Sequence, residues 1–128
     1  MEYWNPKIER LQAEELQALQ ERKLRTVVEN AFAYSRFYKN RFESAGVSPS
    51  DVKTLEDMGR LPFTYKTDLR DTYPTGMFSV PQNQIVRFHV SSGTTGVPTV
   101  VGYTANDIDV WTTCLARSRG MQSGEAWG

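Results

Sequence analysis

Ser91-Ser92-Gly93-Thr94-Thr95-Gly96-Val97-Pro98 carries four hydroxyl side chains and two glycines in eight positions. Hydroxyls and closely spaced glycines can turn several O–H and backbone N–H donors toward one point, a nest that suits phosphate oxygens. The same groups suit water, so composition leaves two readings open, an anion cradle or a solvated connection. The segment is not a Walker A loop: Gly93 and Gly96 are too close together, no lysine follows, and strand-like rather than helical sequence comes next. The dinucleotide fingerprint G-x-G-x-x-G is absent as well. A P-loop NTPase and a Rossmann dehydrogenase are thereby disfavoured.

Few other residues offer chemistry. His89, the single histidine, stands at the end of an apolar run with no partner carboxylate or nucleophile near it in sequence, so packing or hydrogen bonding is expected rather than proton transfer. Cys114, the single cysteine, sits on the apolar side of a helical pattern and is expected to be a small buried hydrophobe. One cysteine and one histidine make neither an internal disulfide nor a zinc site, so no catalytic residue and no metal ligand are assigned. Phe32, Phe37, Tyr38 and Phe42 could line an aryl pocket, but aromatics at helical spacing read first as core. Lys66 is either an anion contact or a solvated charge, Tyr103 and Trp111 read as packing groups, and Arg22, Lys23 and Arg25 read as the wet face of a helix.

The elements that must position the hydroxyl segment are legible on both sides of it. Ile85–Val90 and Thr99–Thr104 are β-branched and aromatic and read as two strands. Thr104 with Asp107 three residues on reads as a capping box, opening a helix with Ile108, Trp111, Cys114 and Leu115 on one face and Gly120 as its expected stop. Upstream, Leu16, Leu19, Leu24, Val27, Val28, Ala31 and Phe32 predict an amphipathic helix over about residues 12–34. Asn5-Pro6 predicts a capped turn before it. Phe37, Tyr38 and Phe42 predict a second helix, which Gly46 ends in a left-handed conformation. Ser48–Asp51 predicts a turn, Thr54 and Thr67 are expected N-caps of two short helices, and Thr75–Pro81 reads as a loop. The fold class expected is α/β, with a helical layer over 1–46, short helices and loops over 47–84, and a strand, loop, strand and helix over 85–120.

A chain of 128 residues, 39% hydrophobic and 12% aromatic, is the length of one ordinary domain and buries roughly two-thirds of its unfolded surface. Fifteen basic and fifteen acidic side chains cancel without a long block of one sign, which argues against a dedicated nucleic-acid or polybasic membrane binder. No window approaches the roughly 18 apolar residues that span a bilayer, and the first residues do not read as a leader. A cytoplasmic location in a reducing compartment is expected. The last residues read as a turn leading to another element, so a longer polypeptide is expected.

Ser91 to Thr99, followed by Val100-Val101-Gly102-Tyr103-Thr104, resembles the phosphate-binding signature of adenylate-forming enzymes, in the form seen in phenylacetate-coenzyme A ligases. Leu61-Pro62-Phe63-Thr64-Tyr65-Lys66-Thr67-Asp68-Leu69-Arg70, Tyr73-Pro74 and the stretch Tyr34-Ser35-Arg36-Phe37-Tyr38 are similar to the same ligases, so the resemblance runs from Tyr3 to about Glu125. It implies the N-terminal portion of the large domain of an aryl-acid coenzyme A ligase. ATP and an acid such as phenylacetate would form an acyl-adenylate and pyrophosphate, and the thiol of coenzyme A would then displace AMP. Ser91, Ser92, Gly93, Thr94, Thr95 and Gly96 would hold the ATP phosphates, with magnesium sharing the negative charge. The implied partners are small molecules, with no nucleic acid or membrane and a possible homodimer.

Two departures accompany the resemblance. Family members usually carry a lysine in or just after this loop, whereas Val97 and Thr99 stand at the corresponding positions. The chain also stops short of the family's adenine- and ribose-binding motifs and its small C-terminal domain, so by itself it is expected to be inactive. The competing expectation is a noncatalytic module, truncated or self-associating through uncovered apolar faces.

Overall fold

The computed structural model describes residues 3–91 and 96–123. Five α-helices and one hairpin are present among them: α1 (Pro6–Glu9), α2 (Ala13–Tyr34), α3 (Arg36–Ser44), α4 (Lys66–Asp71), β1 (Ile85–Ser91), β2 (Thr99–Thr104) and α5 (Ala105–Ser123). Short 3-10 turns lie at Pro49–Asp51, Glu56–Arg60 and Gln82–Gln84.

The core forms where the apolar stripe of α2 meets α3. Val28, Phe42 and Val52 are buried, with Leu24, Phe32, Tyr38, Val47 and Leu61 packed around them. The rings of Phe32 and Phe42 stack at 6.2 Å and Tyr38 tilts against Phe42, which bears out the core reading for these three; Phe37 lies outside the cluster, half-buried and edge-on to Tyr38. Leu16 and Val27 of the predicted stripe are exposed instead. Val27 lies one residue, about 100° of helix, away from the buried Val28, and the core residues on α2 begin at Leu24.

Ser35 joins α2 to α3 and is itself 1% exposed. Its hydroxyl accepts from the Tyr38 N–H at 3.5 Å and donates to the Met77 carbonyl at 3.1 Å. One side chain thereby caps α3 and fastens the helical layer to the loop beneath the hairpin. Gly46, at φ +66°, ends α3 as expected, with the Val47 N–H returning to the Phe42 carbonyl.

Acidic side chains fix the segment that follows. Asp51 accepts from the N–H and hydroxyl of Ser48, and Asp57 accepts from the N–H groups of Lys53 and Thr54 and from the Thr54 hydroxyl. The Ser48 hydroxyl first, then its N–H, hold the Asp51 carboxyl below the usual range; for Asp57 the N–H groups of Lys53 and Thr54 do the same. Two expected caps need correction. Leu55 is the N-cap of the Glu56–Arg60 turn, and Thr54 acts by donating to Asp57. Thr67 lies inside α4, whose N-cap is Tyr65, because Asp68 reaches back to the Tyr65 N–H at 2.7 Å. Asn5 is the N-cap of α1 as expected, but its backbone N–H, donating to Glu9, makes the link rather than its side chain.

The hairpin is antiparallel, pairing Ser91 with Thr99, Val90 with Val100, His89 with Val101 and Phe88 with Gly102, with an irregularity between Ile85 and Arg87. It seats on the 75–81 loop through Phe78, whose ring stacks on Phe88 at 6.3 Å. A Cβ at position 102 would stand 2.7 Å from that Phe78 ring, so any other residue there would have to push the ring aside. The predicted capping box is present in full: the Thr104 hydroxyl accepts from the Asp107 N–H at 3.2 Å, and the Asp107 carboxylate accepts from the Thr104 N–H at 2.8 Å.

Helix α5 runs to Ser123, past the stop expected at Gly120. A single interior glycine costs roughly 1 kcal/mol, which an otherwise helical sequence absorbs. Arg117 pairs with Glu9 at 3.1 Å and ties α5 to α1. Cys114 is exposed, not buried, and Val110 and Leu115 are more than half exposed. Amphipathic spacing identified that face correctly as apolar, but the hairpin covers only its start, at Ile108 and Trp111, and leaves Cys114 and Leu115 exposed.

Candidate phosphate-binding site

The hairpin register determines where the hydroxyl segment leaves the sheet. Ser91 is the last residue of β1 rather than the first of the loop, and it faces Thr99, the first of β2. The seven positions 92–98 therefore span the gap between two paired residues. The hydroxyls of Ser91 and Thr99 are hydrogen-bonded to each other across this neck. Thr99 and Val100 are both buried, which anchors the β2 side.

Ser92, Gly93, Thr94 and Thr95, expected as phosphate contacts, lie outside the described residues. Gly96, the sixth candidate, is exposed at φ +87°, a left-handed conformation that favours glycine. Val97 beside it is exposed and Pro98 half-buried. No cationic side chain stands at positions 96–99. Lys66 is exposed on α4 and forms no ion pair among the described residues.

On one side of the neck the ring of His89 meets Tyr103 edge-on at 4.8 Å and Trp111 at 5.5 Å, while Tyr103 and Trp111 stack at 5.8 Å. This aromatic group joins the hairpin to α5 and gives all three residues packing roles. On the other side, a groove of about 800 Å³ runs between the helical layer and the hairpin, with Val28, Phe42, Leu61, Met77 and Val100 in its wall. Arg41 crosses from α3 to α4, its guanidinium 2.5 Å from Asp68 and over the Phe37 ring.

Among the described residues no group of three His, Cys, Asp or Glu side chains is placed to hold a metal ion, and no helix is long and apolar enough to cross a membrane. Sequence reasoning overlooked the hydrogen-bonding roles of two residues, Ser35 and Thr99. Each could have been flagged from the sequence, Ser35 as a small hydroxyl between two helical patterns and Thr99 as the hydroxyl that mirrors Ser91 across the loop.

No protein-family model matches the chain. Similar curated proteins include the phenylacetate-coenzyme A ligase of Aromatoleum evansii, 50% identical over 119 residues, which are 93% of this chain and 27% of the relative. The ligase of the same name from Thermus thermophilus is 51% identical over 117 residues, 90% of this chain and 26% of the relative. That from Escherichia coli is 50% identical over 111 residues, 87% of this chain and 25% of the relative. The chain thus spans about a quarter of the length of the curated relatives it matches. Among solved structures, 2-hydroxyisobutyryl-CoA ligase in complex with 2-HIB-AMP and CoA in the thioesterification state aligns with a TM-score of 0.82 at 36% identity, over 90% of this chain and 25% of that one. The same ligase in the postadenylation state with 2-HIB-AMP aligns with a TM-score of 0.79 at 33% identity, over the same shares. In sequence, then, the chain is similar to the N-terminal portion of phenylacetate-coenzyme A ligases, and in fold to the matching portion of an adenylate-forming acid–coenzyme A ligase.

Proposed function

We propose that this chain is the phosphate-handling portion of an aryl-acid coenzyme A ligase. In the complete enzyme, an acid of the phenylacetate type attacks the α-phosphorus of ATP, giving acyl-adenylate and pyrophosphate. The thiol of coenzyme A then attacks the acyl carbon and releases AMP. The observation that carries this reading is the hydroxyl- and glycine-rich sequence 92–98, which joins the paired residues Ser91 and Thr99.

Negative charge grows on the pyrophosphate oxygens as the bond to the α-phosphorus breaks. Donors already aimed at those oxygens bind them more strongly in the transition state than in the ground state and so lower the barrier. Ser92, Gly93, Thr94, Thr95 and Gly96 supply N–H groups and hydroxyls for that purpose. Magnesium, brought on the triphosphate as part of the substrate, would share the negative charge of the phosphates. With Val97 and Thr99 uncharged, either phosphate affinity is weaker than in relatives that carry the lysine or a basic residue elsewhere in the complete enzyme compensates.

The test is a graft in which this chain replaces the matching quarter of the Thermus thermophilus ligase. The graft is expected to keep phenylacetate-dependent ATP–pyrophosphate exchange within about tenfold of the parent. A folded graft with no exchange contradicts the reading.

A second reading is favoured by a separate observation. Val86, Phe88, Val90 and Leu115 are each at least half exposed, a distribution suited to self-association of a noncatalytic module. Sedimentation of the 128-residue chain separates the two: this second reading expects a dimer whose population rises with concentration, and a monomer throughout the micromolar range contradicts it.

A further inference from the structure

Position 99 is one of the two places where the resemblance would put a lysine, yet Thr99 is nine-tenths buried and its hydroxyl is bonded to Ser91. We propose that Thr99 is a positioning residue: its bond to Ser91 latches the neck of the 92–98 segment, and Ser91 serves as the other half of that latch rather than as a phosphate contact. The proposal rests on the reading of this segment as a phosphate cradle.

Three observations support the latch. Ser91 and Thr99 form the last pair of the ladder, where directly opposed side chains stand close enough for two short hydroxyls to meet. A hydroxyl buried to the extent of Thr99 needs a partner, and Ser91 supplies it. Val100, buried beside Thr99 and paired with Val90, holds β2 in register, so the Thr99 side of the bond is fixed. Pinning both ends of a seven-residue segment removes conformations in which its donors point apart. Donors organised beforehand stabilise charge without reorganising during the reaction. A lysine here would remove Ser91's partner and would have to bury or redirect an ammonium group.

Two measurements test this. In the 128-residue chain, Thr99→Val is expected to speed amide hydrogen exchange over residues 88–101 while leaving residues 24–47 unchanged, and Thr99→Ser is expected to restore slow exchange. Unchanged exchange in Thr99→Val overturns the latch. In the grafted ligase, Thr99→Val is expected to raise the KM for ATP or lower the rate of adenylation by roughly five- to tenfold, with Thr99→Ser close to the parent. Thr99→Lys is expected to be at least as impaired as Thr99→Val. Tighter ATP binding in Thr99→Lys, or unaltered kinetics in a Thr99→Val graft whose exchange is faster, overturns the positioning role. If substitutions at Ser92, Thr94 and Thr95 also leave the kinetics unaltered, the phosphate reading itself has failed; the exchange measurement on the chain alone decides the latch separately.

Discussion

Replacing Thr94 and Thr95 together with alanine in the grafted ligase is expected to slow acyl-adenylate formation by at least about 100-fold. A single donor aimed at developing negative charge is typically worth that much in a site shielded from water. Two hydroxyls are lost, while the glycines that let the backbone turn are kept. Because the donors engage the departing pyrophosphate more than bound ATP, the loss should fall mainly on kcat. Pyrophosphate release in a single turnover measures the step directly, since it excludes thioester formation and product release. Val97→Ala serves as the control: it changes a side chain with no donor in the same segment and should alter the rate by less than about threefold. A double variant within threefold of the parent contradicts the assignment of these hydroxyls.

The second large effect concerns the scaffold. Phe42→Ala is expected to destabilise the chain by roughly 3–5 kcal/mol, the usual cost of removing a buried aromatic ring. Phe42 is 5% exposed, stacks on Phe32, meets Tyr38, and belongs to the same buried cluster as Val28 and Val52. No other described ring is buried as deeply. Thermal unfolding followed by circular dichroism checks this, with a fall in Tm of well over ten degrees expected for a domain of this size. Val27→Ala, on the same helix but 64% exposed, is expected to change stability by about 0.5 kcal/mol or less. Comparable effects at the two positions would mean that the core has been misplaced.

These two variants also separate what the sequence could disclose from what it could not. The helix carrying Phe42, its stop at Gly46, the two strands and the Thr104–Asp107 box were all legible, because each depends on spacing or on local chemistry within a few residues. Burial was less legible. Cys114 and Leu115 share an apolar helical face, but whether such a face is covered depends on what packs over it, and spacing does not carry that information. Thr67 and Gly120 mislead for a related reason: cap and stop signals compete with neighbours. The Asp68 carboxylate reaches the Tyr65 N–H and so starts α4 one residue before Thr67, while α5 continues through Gly120. Within the site, hydroxyl and glycine content was visible at once, whereas the bond between Ser91 and Thr99 required the register of the hairpin. Ser35 escaped notice because its hydrogen bond to Met77 spans 42 residues.

The phosphate role of residues 92–96 is tested most directly by a crystal structure of the grafted ligase with a non-hydrolysable ATP analogue and magnesium. The terminal phosphate oxygens are expected within about 3 Å of N–H groups and hydroxyls from this segment, with Ser91 still bonded to Thr99. A triphosphate bound elsewhere, with the segment turned to solvent, would contradict it.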